Sequence, residues 1–403
     1  MGRDDGAIAN PMASGPLGGV RVIDLTRLLP GAYATLLMAD LGADVVKIED
    51  PRGGDLSRLQ PPVAGGTRAY FQMLNRNKRS VTLDLRSRDA ARVLDAIVAR
   101  ADVVVESFRP QTAQRLGVDA ATLCARHPRL VHASVSGFGQ TGPLIARAAH
   151  DINFEALAGL LLENGTGVVP RLLIGDIGAA MNAAAGILAA LYQRERTGAG
   201  AAVEVSIHEA ALSWLLFPAA RRLAGDDDPD GLEIPVTGTH ACYNTYRAAD
   251  DRYLALGALE PKFWAAFCAR LGREDLVPLQ FVGGDQQARV VAAVRAVMAT
   301  RTRDEWLALF NDSDTCLTPV NTVAEALDDP HLAARGVIAR HGGSTYLTTP
   351  IAVTQTPTGD GWNAARRAEI RPAPSLGADT DDVLEDAGIE AAARAELRAR
   401  GII

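Results

Sequence analysis

Residues 19–49 read GVRVIDLTRLLPGAYATLLMADLGADVVKIE. The apolar run 20–25 (VRVIDL) fits a buried strand, Pro30 and Gly31 break the chain, and residues 32–41 carry the spacing of a helix. A second short apolar strand follows at 43–49 (ADVVKIE). Downstream the alternation continues. Strands are expected at 80–85 (SVTLDL), 102–106 and 130–135, with an amphipathic helix at 88–101. Strands that alternate with helices pair in parallel through right-handed crossovers, so the N-terminal part is expected to be an open α/β sheet.

A helix is expected at 179–194, rich in Ala, Leu, Ile and Met and thus buried on most sides, with Gly198 and Gly200 closing it. Residues 224–238 hold three successive aspartates, two prolines and glycines, the composition of an exposed connector. Beyond it, a strand at 252–259 and helices at 262–271, 287–299 and 303–310 predict a smaller α/β unit. The expected division is a large domain over 1–223, a small domain with its connector over 224–335, and a return to the large domain over 336–403. The tail carries Pro350, Pro357, Pro372 and Pro374 before a helix at 390–399.

The chain has 403 residues, enough for two domains. Its 48% hydrophobic and 22% charged content and its mean hydropathy of +0.04 are those of an ordinary globular protein. A net charge of −7 argues against nucleic acid as the main partner, because phosphate binding needs a concentrated positive surface. Four cysteines, Cys124, Cys242, Cys268 and Cys316, are widely spaced and form no CxxC pair, so reduced thiols and no metal site are expected. No unbroken run of about 18 apolar residues occurs, and residues 1–15 lack the basic-then-apolar order of a signal peptide. Neither membrane contact nor export is expected, and the cytosol is the expected location.

Among seven histidines, His150 stands out in AAHDIN (148–153), just after the glycine-rich SGFGQTGP (136–143). An imidazole works as a base only when its position and tautomer are held, and Asp151 or Asn153 is suitably placed to do that. The plain alternative is a helix start that Asp151 caps, with His150 merely adjacent. Asp176 lies in LLIGDIGAA (172–180), where Gly175 and Gly178 allow close approach to the backbone and a following helix start favours negative charge. It too reads alternatively as an N-cap. Glu260, in LGALEPKFW (256–264), stands where a strand gives way to a helix opening at Pro261. The basic run Asn75, Arg76, Asn77, Lys78, Arg79, together with Phe108, Arg109 and Arg115, falls near expected sheet ends, where nucleotide-like ligands bind. Lys and Arg pair with phosphates and Phe108 offers a face for an adenine. The other reading is a solvated charged face. No GxGxxG, P-loop or GxSxG motif is present.

Taken in order, LGGVRVIDLTRLLPGAYATLLMADLGADVVKIEDP, NRNKRSVTLDL, ADVVVESFRP with RLGVD, SGFGQTGP, the GD of LLIGDIG, and GILAALYQRERTGAGAAVEVSIHEAAL resemble the class III CoA-transferase (CaiB/BaiF) superfamily across nearly the whole chain. The resemblance implies a CoA thioester bound along a large Rossmann-like domain, no cofactor beyond the CoA of the substrate, and an interlocked homodimer. Two chemistries occur there. In transferases the GD aspartate, Asp176 here, forms a mixed anhydride; in α-methylacyl-CoA racemases it exchanges a proton with the α-carbon opposite a histidine. AAHDIN resembles the racemases and puts that histidine at His150, and YRAADDRYLALGALEPKFW puts the family's glutamate at Glu260. NRNKRSVTLDL is closer to the transferases. The resemblance favours an α-methylacyl-CoA racemase-like isomerase, with an acyl-CoA:carboxylate CoA-transferase as the alternative and a non-catalytic thioester-binding protein as a third reading. Asn75, Arg76, Lys78, Phe108, Arg109, Arg115 and Asp151 are the expected CoA-binding residues.

Overall fold

The computed structural model describes residues 15–64, 67–163, 165, 168–225, 235–341, 344–355, 357 and 370–403. The chain divides into two compact units. The larger runs to Leu216 and resumes at His331, and the smaller is Phe217–Pro330. Residues 226–234, the heart of the expected connector, lie outside the described residues.

The larger unit opens with β1 (Arg21–Asp24), α1 (Leu29–Asp40) and β2 (Asp44–Glu49). Pro30 and Gly31 do not break the chain as expected. They sit in the first turn of α1, where the missing amide of proline has no intrahelical role to lose. Leu28, just ahead of the helix, takes φ 59° and ψ −157°, a backbone region normally left to glycine. A short hairpin, β3 (Val63–Ala64) and β4 (Thr67–Arg68), precedes α2 (Ala69–Asn75) and β5 (Arg79–Thr82). Then come α3 (Arg88–Val98), β6 (Val103–Glu106), α4 (Pro110–Leu116), α5 (Ala120–Arg126) and β7 (Val131–Ser136). After a loop follow α6 (Asp151–Ala158), α7 (Leu160–Glu163), α8 (Ile174–Thr197), β8 (Ala201–Ser206) and α9 (Ile207–Leu212).

Six of these strands form one parallel sheet in the order β5-β2-β1-β6-β7-β8. Counted along the sheet strands alone this is 3-2-1-4-5-6, the doubly wound order, whose ligand crevice lies beyond the carboxyl ends of β1 and β6 where the winding reverses. Buried apolar residues cover both faces. One core joins Val22, Val103, Val131 and Val205 to the small-residue face of α8 (Ala179, Ala183, Ile187); the other joins Ile23, Val46, Val81 and Val104 to α3, α5 and the C-terminal segment. By length and composition α8 is apolar enough to cross a bilayer, and half of its most apolar stretch is buried in this core.

The smaller unit carries α10 (Leu216–Leu223) at its start, then an antiparallel sheet in which β10 (Tyr253–Gly257) lies between β9 (Tyr243–Arg247) and β11 (Leu317–Pro319). Against that sheet pack α11 (Pro261–Leu271), α12 (Gly284–Met298) and α13 (Arg303–Phe310), closing a separate core around Tyr246, Trp264, Phe267 and Trp306. Next come α14 (Val323–Leu327), α15 (Pro330–Ala334), and the hairpin of β12 (Ile338–His341) and β13 (Ser344–Leu347). The tail ends in α16 (Thr380–Asp386) and α17 (Ala391–Ala399). It lies along the edge strand of the large sheet: Asp379 Oδ2 accepts the Ser80 amide at 2.7 Å, and the Gly377 amide donates to Ser80 Oγ at 2.9 Å. Covering an edge in this way removes its unpaired amides from solvent.

Candidate active site

Two adjoining clefts open at the carboxyl ends of the sheet strands. The first is lined from the ends of β1, β2, β5 and the start of α4, including Thr26, Glu49, Asp84, Arg86, Phe108 and Arg115. The second holds His150, Asp151, Asp176, Phe138, Arg109 and Phe108. Phe108 borders both, so the groove is continuous past it. Its position is set from below. Glu106, buried at the end of β6, accepts the Phe108 amide at 2.7 Å, and burial pushes this carboxyl up to about 6. Arg27 lies over the Phe108 ring at 5.7 Å. Arg109 and Arg115 are exposed along the groove, as the expected phosphate contacts require.

Asn75, Arg76 and Lys78 are placed differently from that expectation. All three are buried, and none lines either cleft. Lys78 Nζ donates to Asp24 Oδ2 at 3.0 Å, Thr35 Oγ1 at 2.8 Å, the Ala32 carbonyl and Asn75 Oδ1. Burial pushes the Lys78 ammonium down to about 8 even with Asp24 beside it. Burial by itself would raise Asp24, yet Lys47 and Lys78 with the Thr26 and Thr35 hydroxyls hold it well below the usual carboxylate range. Arg76 pairs with Asp40 and donates to the Met73 carbonyl at 2.9 Å. These side chains knit strand to helix inside the domain and line neither cleft, so they do not meet a phosphate there.

His150 is the N-cap position of α6 and is exposed. Asn153 Oδ1 accepts the His150 backbone amide at 3.0 Å, so the asparagine grips the main chain rather than the imidazole. His150 and Asn153 together form a capping box at this helix start. Asp151 is not the ring's orienter either. It is buried, and its Oδ1 accepts the backbone amide of Asp176 at 2.8 Å. A Cβ on Gly175 would stand 3.0 Å from that same oxygen, which accounts for glycine there.

Asp176 belongs to the first turn of α8, which begins at Ile174, before the expected start. Its carboxyl is partly buried and is pushed up to about 7 by that burial and by the charges of Asp151 and Glu155. The helix start, expected to offer its amides to a substrate oxygen, is already satisfied: Glu155 Oε1 accepts the Ile174 amide at 3.0 Å while Asp151 takes that of Asp176. At α6, by contrast, the amides of Asp151 and Ile152, in the first helical turn, make no hydrogen bond among the described residues. Glu155 was not among the sequence candidates. Its signal is the pair Asp151 and Glu155 at i, i+4, two like charges on one helix face that cost stability unless something uses them. Glu260 belongs to the smaller unit, where it is the exposed N-cap of α11; its carboxylate makes no capping bond to that helix.

An open parallel sheet carries a groove at its winding reversal, with a histidine and a carboxyl of raised pKa in one cleft, an arrangement equipped for acid/base or acyl chemistry. The chain belongs to CoA-transferase family III, whose sequence pattern matches residues 17–380. It is 32% identical over 381 residues to human alpha-methylacyl-CoA racemase, covering 92% of this chain and 93% of that protein. To the acetyl-CoA:oxalate CoA-transferase of Acetobacter aceti it is also 32% identical, over 352 residues, 84% of this chain and 90% of the relative. The crystal structure of a CaiB/BaiF family protein from Brucella suis superposes with a TM-score of 0.79 at 28% identity, covering 93% of this chain and 99% of that one.

Proposed function

We propose that this protein is an acyl-CoA racemase or epimerase that inverts the α-carbon of a 2-methylacyl-CoA thioester by 1,1-proton transfer. The observation that carries the reading is Asp176: a carboxyl pushed up to about 7, on the same cleft as His150. Two-sided proton exchange needs a pair in which either member can hold the proton at working pH. A carboxyl that stayed an ordinary acid would be ionised almost always and would have no proton to return.

In one direction neutral His150 takes the α-hydrogen, the electron pair moves onto the thioester oxygen as an enolate, and protonated Asp176 returns a proton to the opposite face. The pair is left as imidazolium and carboxylate, which is the form that accepts the other enantiomer. One proton is thus shared by the pair throughout, and neither a metal nor a redox group takes part in the step. The enolate oxygen is matched by the free Asp151 and Ile152 amides at the start of α6, not by those of α8. Glu260 is proposed as a third catalytic residue, as the family resemblance implies. CoA is proposed to lie along the groove past Phe108, with Arg109 and Arg115 meeting its phosphates. The protein is proposed to act in the cytosol, as a homodimer. In support of the latter, Ile177, Met181, Leu188 and Tyr192 form one exposed apolar stripe along α8, beside exposed Trp214. A stable monomer by sedimentation would count against the dimer.

A second reading has its own support in the oxalate transferase of equal identity and in NRNKRSVTLDL. There the Asp176 carboxylate attacks the thioester carbonyl, CoA leaves as the thiolate, and a mixed anhydride remains. Mass-spectrometric α-hydrogen exchange of 2-methylacyl-CoA in deuterated water separates the two. Uptake by wild type, lost in His150→Ala and Asp176→Ala, supports the racemase. No uptake across several such thioesters sinks it and favours the anhydride route.

A further inference from the structure

Of the three carboxyls Asp151, Glu155 and Asp176, Glu155 lines neither of the two clefts. It is fully buried between α6 and the start of α8. Its Oε1 accepts the Ile174 amide at 3.0 Å, whereas its Oε2 is buried with no hydrogen-bond partner among the described residues. A carboxylate oxygen in that position costs the full desolvation of a charged acceptor. The same oxygen carrying a proton costs much less, provided the hydroxyl finds an acceptor, and Asp151 on the preceding turn of α6 is one. Asp151 in turn is fixed on the Asp176 amide at 2.8 Å.

The titratable surroundings are mostly acidic. On α6 itself stand His150 and Asp151; α8 brings Asp176, α7 brings exposed Glu163, and α9 brings exposed Glu209 and half-buried His208, whose ring meets Phe138 at 5.7 Å. Burial, then the hydrogen bond and charge of Asp151, push Glu155 up to about 7, the value Asp176 also reaches. If Glu155 and Asp151 were both ionised, Asp176 would be the third negative charge at one helix start.

We propose that Glu155 is a positioning residue: as a carboxylic acid it donates its Oε2 hydrogen to Asp151, holds Asp151 on the Asp176 amide, and so governs from behind the helix how readily Asp176 takes and releases its proton. This rests on the reading of Asp176 as an acid/base, and it extends the shared-proton pair to a buried store that the substrate never touches. The chemistry is ordinary acid to carboxylate donation, with no bond made or broken in the protein beyond the proton's own.

The test is Glu155→Gln, which keeps an acceptor for Ile174 and a donor for Asp151 but cannot ionise. In the pH profile of α-deuterium exchange, the apparent pKa assigned to Asp176 should fall by about one unit, because two strongly interacting titrations collapse to one. An unshifted profile overturns the proposal even if the rate drops, since a merely structural residue would change the rate alone. The second readout needs no turnover: the infrared band of a protonated carboxylic acid, recorded near neutrality, should lose one component in Glu155→Gln. Retention of the full band overturns the proposal whatever the reaction proves to be, while loss of the band with no exchange by wild type sustains Glu155 and sinks only the racemase reading. Should Glu155→Gln fold poorly, Asp151→Asn serves instead. Removing that negative charge must make the Glu155 band disappear at lower pH than in wild type, and an unchanged titration again overturns the proposal.

Discussion

Asp176→Asn exchanges a group that the fold prefers protonated for one that never ionises, and the consequence for stability follows from linkage. The carboxyl titrates at 3.8 when free and at about 7 in the folded protein, where burial and then Asp151 and Glu155 oppose its charge. A raised native value means that between about pH 4 and pH 7 the native state keeps a proton the unfolded chain has already lost, so stability falls as pH rises through that window. Three units at about 1.4 kcal/mol each amount to roughly 4 kcal/mol. Asp176 is partly exposed, and its neighbour Glu155 relaxes when Asp176 is neutral, so about half, roughly 2 kcal/mol, should appear as the gain of the variant. The gain should be near zero at pH 4, grow through neutrality and level off by pH 8. Urea unfolding of both proteins across that range, followed by circular dichroism, measures it. A difference between the two midpoints that is independent of pH would refute the electrostatic account of Asp176, and with it the reason for regarding this carboxyl as a proton carrier.

Other outcomes follow from the same geometry. Lys78→Met strands Asp24 with a single buried partner and should cost about 3–5 kcal/mol, read as a lower melting temperature. Arg109→Ala and Arg115→Ala should leave melting unchanged and raise the KM for a CoA thioester several-fold, the more so at low salt, because both guanidinium groups are exposed along the groove. Gly175→Ala brings a methyl group to 3.0 Å from Asp151 Oδ1 and should loosen that carboxylate from the Asp176 amide. A tenfold fall in exchange rate, about 1.4 kcal/mol of barrier, is expected with secondary structure intact by circular dichroism.

The part of the fold legible in the sequence was the part set by local pattern. Alternating apolar runs and amphipathic stretches placed β1, β2, β5, β6 and β7 with α1 and α3, because each buries its own periodic face, whereas α2, α4 and α5 were not placed. Strand order was not legible, since nothing in 20–25 says whether its neighbours will be 43–49 and 102–106; that choice belongs to packing. Pro30 misled for a local reason: proline is as acceptable in a first helical turn as in a break, and only the chain beyond decides. Lys78 misled for a distant one. A basic residue ahead of a strand reads as a ligand contact until the carboxylate it serves, Asp24, is seen 54 residues away in sequence and 3.0 Å away in space.

The site shows the same division with a chemical consequence. His150 and Asp176 were legible because motif and resemblance both pointed at them, and the structure brings both to one cleft. What tunes Asp176 was not, because Asp151 and Glu155 act through a backbone amide and a buried oxygen, relations that no spacing rule in a single segment encodes. Yet these groups bear directly on the proposed choice between the two family chemistries. A nucleophilic aspartate is served by a site that keeps it ionised, through cations or free helix amides, whereas α8 spends its amides on Asp151 and Glu155, and burial with these carboxyls opposes a charge on Asp176. Such surroundings make the carboxyl hold a proton near neutrality. That is a handicap for attack on a thioester carbonyl and a requirement for returning a proton to an α-carbon, which is why the racemase reading weighs more than an even count of relatives would give it.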